Sequence, residues 1–81
     1  MKIEICLMLD ERSQKPFFDA RLVNDTISRE NVILEVHSQK INTKEFGSFK
    51  DNWERVCNRI LKEIVKRPDA ERILKQLIHE Q

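Results

Sequence analysis

The spacing of apolar positions changes once along the chain, from every second residue to every third or fourth, and that change divides strands from helices. Residues 2–10, KIEICLMLD, place Ile3, Ile5, Leu7 and Leu9 on one side and Lys2, Glu4, Cys6, Met8 and Asp10 on the other. Period two over that length predicts a half-buried strand. After the polar stretch Glu11 to Pro16, the run FFDARLV alternates again. Phe18, Ala20 and Leu22 take one face, and Phe17, Asp19, Arg21 and Val23 the other, so the two runs predict an antiparallel hairpin. Asn24 to Glu30 is expected as loop or one helical turn. VILEVHS, from Val32, predicts a third strand, with Val32, Leu34 and Val36 toward the core and Ile33, Glu35 and His37 away from it. Residues 39–47 carry Ile41 and Phe46 without a period, which leaves an edge strand and an irregular link both open.

From Ser48 to Arg67 the period becomes helical. Phe49, Trp53, Val56, Cys57, Ile60, Leu61 and Ile64 stack on one face, and Arg55, Arg59, Lys62 and Lys66 form a row on the opposite side. Ser48 with Asp51 three residues on has the form of a capping box, and Pro68 ends the helix because it lacks an N–H and disfavours a helical residue before it. Asp69 to Glu80 predicts a second helix whose stripe is Ala70, Ile73, Leu74, Leu77 and Ile78. The expected architecture is α+β: a three-stranded antiparallel sheet followed by two C-terminal helices packed on one face, βββαα, with Trp53 and Ile60 in the core against Leu7 and Leu34.

Length and composition narrow the function classes. At 81 residues, with no repeat or low-complexity segment, the chain predicts a single small domain over 1–81. A chain of this size buries a modest share of its unfolded surface, so a protein partner or self-association would add stability. Fifteen basic and fourteen acidic residues give a net charge of +1, which removes any bulk electrostatic drive toward nucleic acid. The N-terminus lacks the continuous apolar run of a secretion signal, and Cys6 and Cys57 are expected as reduced thiols, so the expected location is the cytoplasm, with no membrane association.

Candidate chemistry is sparse. Gly47 is the one glycine, which excludes phosphate-cradling glycine loops. Cys6, Cys57, His37 and His79 form no close pair, so no metal and no cofactor is expected. Asp19, Glu35 and Lys40 have a loose likeness to the acid cluster of metal-dependent nucleases, but His37 stands at the two-residue offset from Glu35 where such a site needs lysine. Cross-strand pairing of Arg21 with Asp19 or Glu35 is the expectation instead. No acid, base and nucleophile are assembled, and the chain is expected not to be an enzyme.

Two surfaces remain. Met8, Phe17, Arg21, Ile33 and His37 on the outer sheet face are the candidate partner-binding residues, since apolar and aromatic groups spread over adjacent strands can form a patch of interaction size. Arg55, Arg59, Lys62 and Lys66 are the candidate contacts for phosphate or an acidic partner, although Asp51–Arg55, Arg59–Glu63 and Glu63–Arg67 spacings let much of that charge be compensated along the helix. The function read from the sequence is a non-enzymatic protein-interaction module, a small regulator or inhibitor that occludes a larger macromolecule. The alternative is a small nucleic-acid-binding module using the basic face of the helix at 49–67.

Overall fold

In the computed structural model, which describes residues 1–25 and 30–79, the chain forms β1 (Lys2–Leu9), β2 (Pro16–Asp25), β3 (Glu30–His37), α1 (Phe46–Val65) and α2 (Ala70–His79). The sheet has order β1-β2-β3 with both pairings antiparallel, so the expected βββαα α+β fold is the observed one. The segment expected as loop or a helical turn between β2 and β3 falls partly within these strands, at Asn24, Asp25 and Glu30; residues 26–29 lie outside the described residues. Residues 39–45 form no strand. They are anchored instead by Ile41, which is buried and whose N–H donates to the Pro16 carbonyl at 2.8 Å.

The β1–β2 turn is held by Asp10, whose Oδ2 accepts from the Ser13 N–H at 2.9 Å and the Ser13 hydroxyl at 2.6 Å. Gln14 takes φ 58°, the left-handed region that few non-glycine residues occupy, and its side chain donates to the Glu11 carbonyl.

β3 corrects one sequence expectation. Leu22 pairs with Leu34 but Val23 pairs with Val32, so β3 carries an extra residue, Ile33, opposite that step. A bulge of this kind resets the alternation, because side chains beyond it change face. Ile33, expected on the outer face, packs against the core cluster, and Val32, expected inside, is half-exposed.

Ala20, Leu22, Val36, Val56, Ile60, Ile64 and Ile73 make the core. α1 lies across β2 and β3 and α2 packs on α1; among the described residues neither helix lies along β1. That placement explains two more corrections. Leu7 and Leu9 continue the inward row of β1 past the cover of the helices and are 56% and 58% exposed. Trp53 is 46% exposed, standing edge-on to Phe18 at 5.5 Å between centroids, while its helix-mate Ile60 is fully buried.

The expected capping box does not form. α1 starts at Phe46 without a side-chain cap, and the Ser48 hydroxyl accepts from the Asn42 N–H at 2.9 Å, pinning the preceding loop. At the other end α1 stops at Val65, three residues before Pro68, as proline requires.

Candidate functional site on the outer sheet face

The outer face takes its layout from strand register. Cys6, Asp19 and His37 lie in one cross-strand row and Glu4, Arg21 and Glu35 in the next. Side chains at such directly opposed positions interact, and here most carry charge. Arg21 Nε stands 3.4 Å from Asp19 Oδ2 and 3.9 Å from Glu35 Oε2. The expected pairing therefore occurs with both acids. Its Nη2 also donates to Cys6 Sγ at 3.7 Å. His37 Nε2 lies 3.2 Å from Asp19 Oδ1 and 3.4 Å from Glu35 Oε1, bridging the same two carboxylates from the other side.

Beside this network Phe17 is fixed on two sides. The His37 ring meets it edge-on at 5.2 Å, and Lys40 Nζ sits over its face at 4.4 Å. An ammonium over an aromatic face is attracted by the ring quadrupole. Lys40 also reaches Asp10 at 3.3 Å, which ties the loop after β3 to the β1–β2 turn.

Of the five residues expected here, Met8, Phe17, Arg21 and His37 share this face, while the β3 bulge withdraws Ile33 to the other side. The sequence pattern concealed Asp19 as the centre of the cluster. It is a buried carboxylate, 4% exposed, on the central strand between Cys6 of β1 and His37 of β3. Among the described residues its Oδ1 and the Arg21 Nε are buried and make no hydrogen bond, although His37 Nε2 lies 3.2 Å from the one and Asp19 Oδ2 3.4 Å from the other. Burial first, and then the Glu35 charge, push the Asp19 carboxyl above its ordinary pKa, against the opposing pull of His37 and Arg21.

That shift has a defined consequence for stability. A carboxyl with a raised folded pKa binds more protons in the folded than in the unfolded chain, so its contribution falls as pH rises from the ordinary carboxylate value of about 3.9 through the raised one. Asp10 and Asp69 are shifted down, Asp10 chiefly by the Ser13 hydrogen bonds and Asp69 by hydrogen bonds from Arg72 and Arg67 that outweigh its desolvation, and they act in the opposite sense at lower pH. Asp19→Asn is therefore expected to gain thermal stability relative to the parent as pH is raised from 4 to 7, in a melting series at fixed ionic strength. A variant that loses ground over that range would mean that the Arg21 and His37 attraction dominates.

Asp19, Glu35 and His37 present ligand atoms within 4.8 Å of one another, residue types that hold divalent cations. Arg21 already brings a fixed positive charge to both carboxylates, so an added cation meets like charge at the same place. The two thiols sit apart from one another, Cys6 on β1 and Cys57 on α1, both free, and burial pushes the Cys57 thiol up.

The basic row on α1 is partly engaged. Arg59 Nη1 donates to the His37 carbonyl at 3.2 Å, closing the end of β3 against the helix, and Lys66 pairs with Glu63 at 3.3 Å. Glu63 was expected to pair with Arg59 or Arg67, but Arg67 turns to Asp69 at 3.1 Å. Arg55 and Lys62 stay exposed on the solvent side. No described helix is long and apolar enough to cross a membrane. Comparison with protein-family models, with curated proteins and with solved structures finds no match to this chain.

Proposed function

We propose that the chain is a non-enzymatic protein-interaction module, a small regulator or inhibitor that covers a surface of a larger protein with its outer sheet face. The observation that carries this reading is the held pair Phe17 and Arg21, one clamped by His37 and Lys40, the other by Asp19, Glu35 and Cys6. Side chains fixed before contact lose little rotamer entropy on binding, and aromatic and arginine anchors carry most of the energy of natural interfaces. Among the described residues this face keeps Met8 and His37 exposed. With Lys40 Nζ 4.4 Å from the Phe17 ring, the complementary chemistry is an apolar group beside a carboxylate.

The nucleic-acid reading draws less support. Two of its four basic residues are committed within the fold, and the chain is nearly neutral.

A photo-crosslinking amino acid placed at position 17, and separately at Lys50 on the exposed side of α1, tests the proposal in a lysate of the native host. A single protein species captured from position 17 and not from position 50 is expected. Phe17→Ser should weaken its binding by about 2 kcal/mol or more, on the order of thirtyfold. Equal capture from both positions, or capture unaffected by Phe17→Ser and Arg21→Ala, would overturn it.

A further inference from the structure

We infer that the free edge of β1 pairs antiparallel with β1 of a second copy, about a two-fold axis at Cys6, to build a continuous six-stranded sheet. Among the described residues β1 pairs with β2 alone and forms an edge of the sheet. The Asp10 N–H donates to the Lys15 carbonyl, which fixes the phase of the β1–β2 ladder: even residues of β1 turn their backbone groups toward β2 and odd ones turn them outward. The outward backbone groups therefore belong to Ile3, Ile5, Leu7 and Leu9. These are the residues of the inward row, in which Ile3 and Ile5 pack against the core while Leu7 and Leu9 stay exposed, so the far end of the strand offers outward backbone groups together with exposed apolar surface.

An eight-residue edge strand of this kind is a template for further pairing unless something blunts it. The opposite edge, β3, is blunted by the bulge at Ile33 and by the Arg59 side chain on the His37 carbonyl. β1 has no bulge and no proline, and its ladder with β2 runs unbroken from Lys2 to Leu9.

A second copy fits because the strand is complementary to itself in one register. Centring the axis on Cys6 sets Ile5 opposite Leu7 of the second copy and Ile3 opposite Leu9, apolar on apolar across the inward side. On the outer side it sets Lys2 opposite Asp10 of the second copy, charge on opposite charge, and Glu4 opposite Met8. Moving the axis to Leu7 puts Glu4 against Asp10, like charge on like. Moving it to Ile5 leaves Lys2 against Met8. The Cys6 register also brings the exposed end of each β1, at Leu7 and Leu9, beside the Ile3 and Ile5 end of the other, which packs against the core in each copy. Both outer faces lie on the same side of the joined sheet, so the surface that carries Phe17 and Arg21 is doubled. This inference stands apart from the proposed function, since it uses the edge and inward row of β1 and none of the outer anchors.

The register makes a chemical prediction. With odd residues forming the hydrogen-bonded pairs, the two Cys6 residues face each other at a non-hydrogen-bonded position, where Cα atoms lie about 4.5 Å apart, within the span a disulfide bridges. Diamide added to the full chain takes two protons and two electrons from the two thiols and is reduced to the hydrazine, leaving the S–S bond. The expected result is a covalent dimer of twice 9.7 kDa, formed by Cys57→Ser and absent in Cys6→Ser. Sedimentation equilibrium of the reduced chain should give the same doubled mass. Leu7→Lys with Leu9→Lys, at positions already exposed in the single chain, should reduce it to the monomer with the circular-dichroism spectrum intact. Phe17→Ser should leave it doubled, which separates this inference from loss of the outer-face partner. A reduced chain that is monomeric at tens of micromolar, a dimer that survives the double lysine variant, or cross-linking through Cys57 would each overturn the pairing.

Discussion

Ile60→Ala is expected to destabilise the protein by about 2 to 5 kcal/mol, the range for truncating a buried branched aliphatic side chain. Ile60 is 1% exposed at the middle of α1, in one cluster with Ala20 and Leu22 of β2, Val36 of β3 and Ile73 of α2. Its removal opens a void where the helix crosses the sheet, and a closely packed interior relaxes only in part around such a void. A domain of this size holds little stability in reserve, so the loss is a large fraction of the whole. Chemical denaturation checks it through the midpoint at unchanged slope. Trp53→Ala, by contrast, removes a half-exposed ring and is expected to cost less. If the tryptophan variant is the more damaged of the two, α1 sits rotated from the position described.

The second large effect distinguishes two adjacent residues of β3. Ile33→Ser is expected to cost about 1 to 3 kcal/mol, whereas Val32→Ser should stay within about 0.5 kcal/mol of the parent. An unbroken alternation would give the reverse order, since Val32 would then point inward with Leu34 and Val36. The bulge opposite the Leu22–Val23 step exchanges them, and Ile33 packs against the core while Val32 lies open. Urea melts of the two variants, compared side by side, decide between bulged and regular β3. The comparison also bears on the outer face, because Ile33 is thereby excluded from any contact that Met8, Phe17, Arg21 and His37 make.

What local pattern governs was legible in the residues themselves. Period two specified three strands, period 3.6 specified two helices, and Pro68 separated the helices through its missing N–H. Those signals act within a few residues, and every element they predicted is present. The pairing of Arg21 with Asp19, two residues away on β2, and with Glu35, opposite it on β3, was legible for the same reason: alternation places all three on one face, where opposite charges attract.

Other features depend on how whole elements meet, and only the tertiary structure decided them. An amphipathic stripe on α1 states that one side is buried, not which strands lie beneath it. Because α1 settles over β2 and β3, Leu7, Leu9 and Trp53 stay open although their spacing matches that of buried neighbours. The bulge is likewise invisible in VILEVHS, since Val32, Ile33 and Leu34 are apolar in succession and either Val32 or Ile33 suits the inward face. The cap at Ser48 was lost to a competing acceptor role toward the Asn42 N–H. The central position of Asp19 arises in the same way: the residue looks like an ordinary outward carboxylate in the sequence, and becomes a buried one because β2 is the middle strand, flanked on both sides by the side chains of its neighbours.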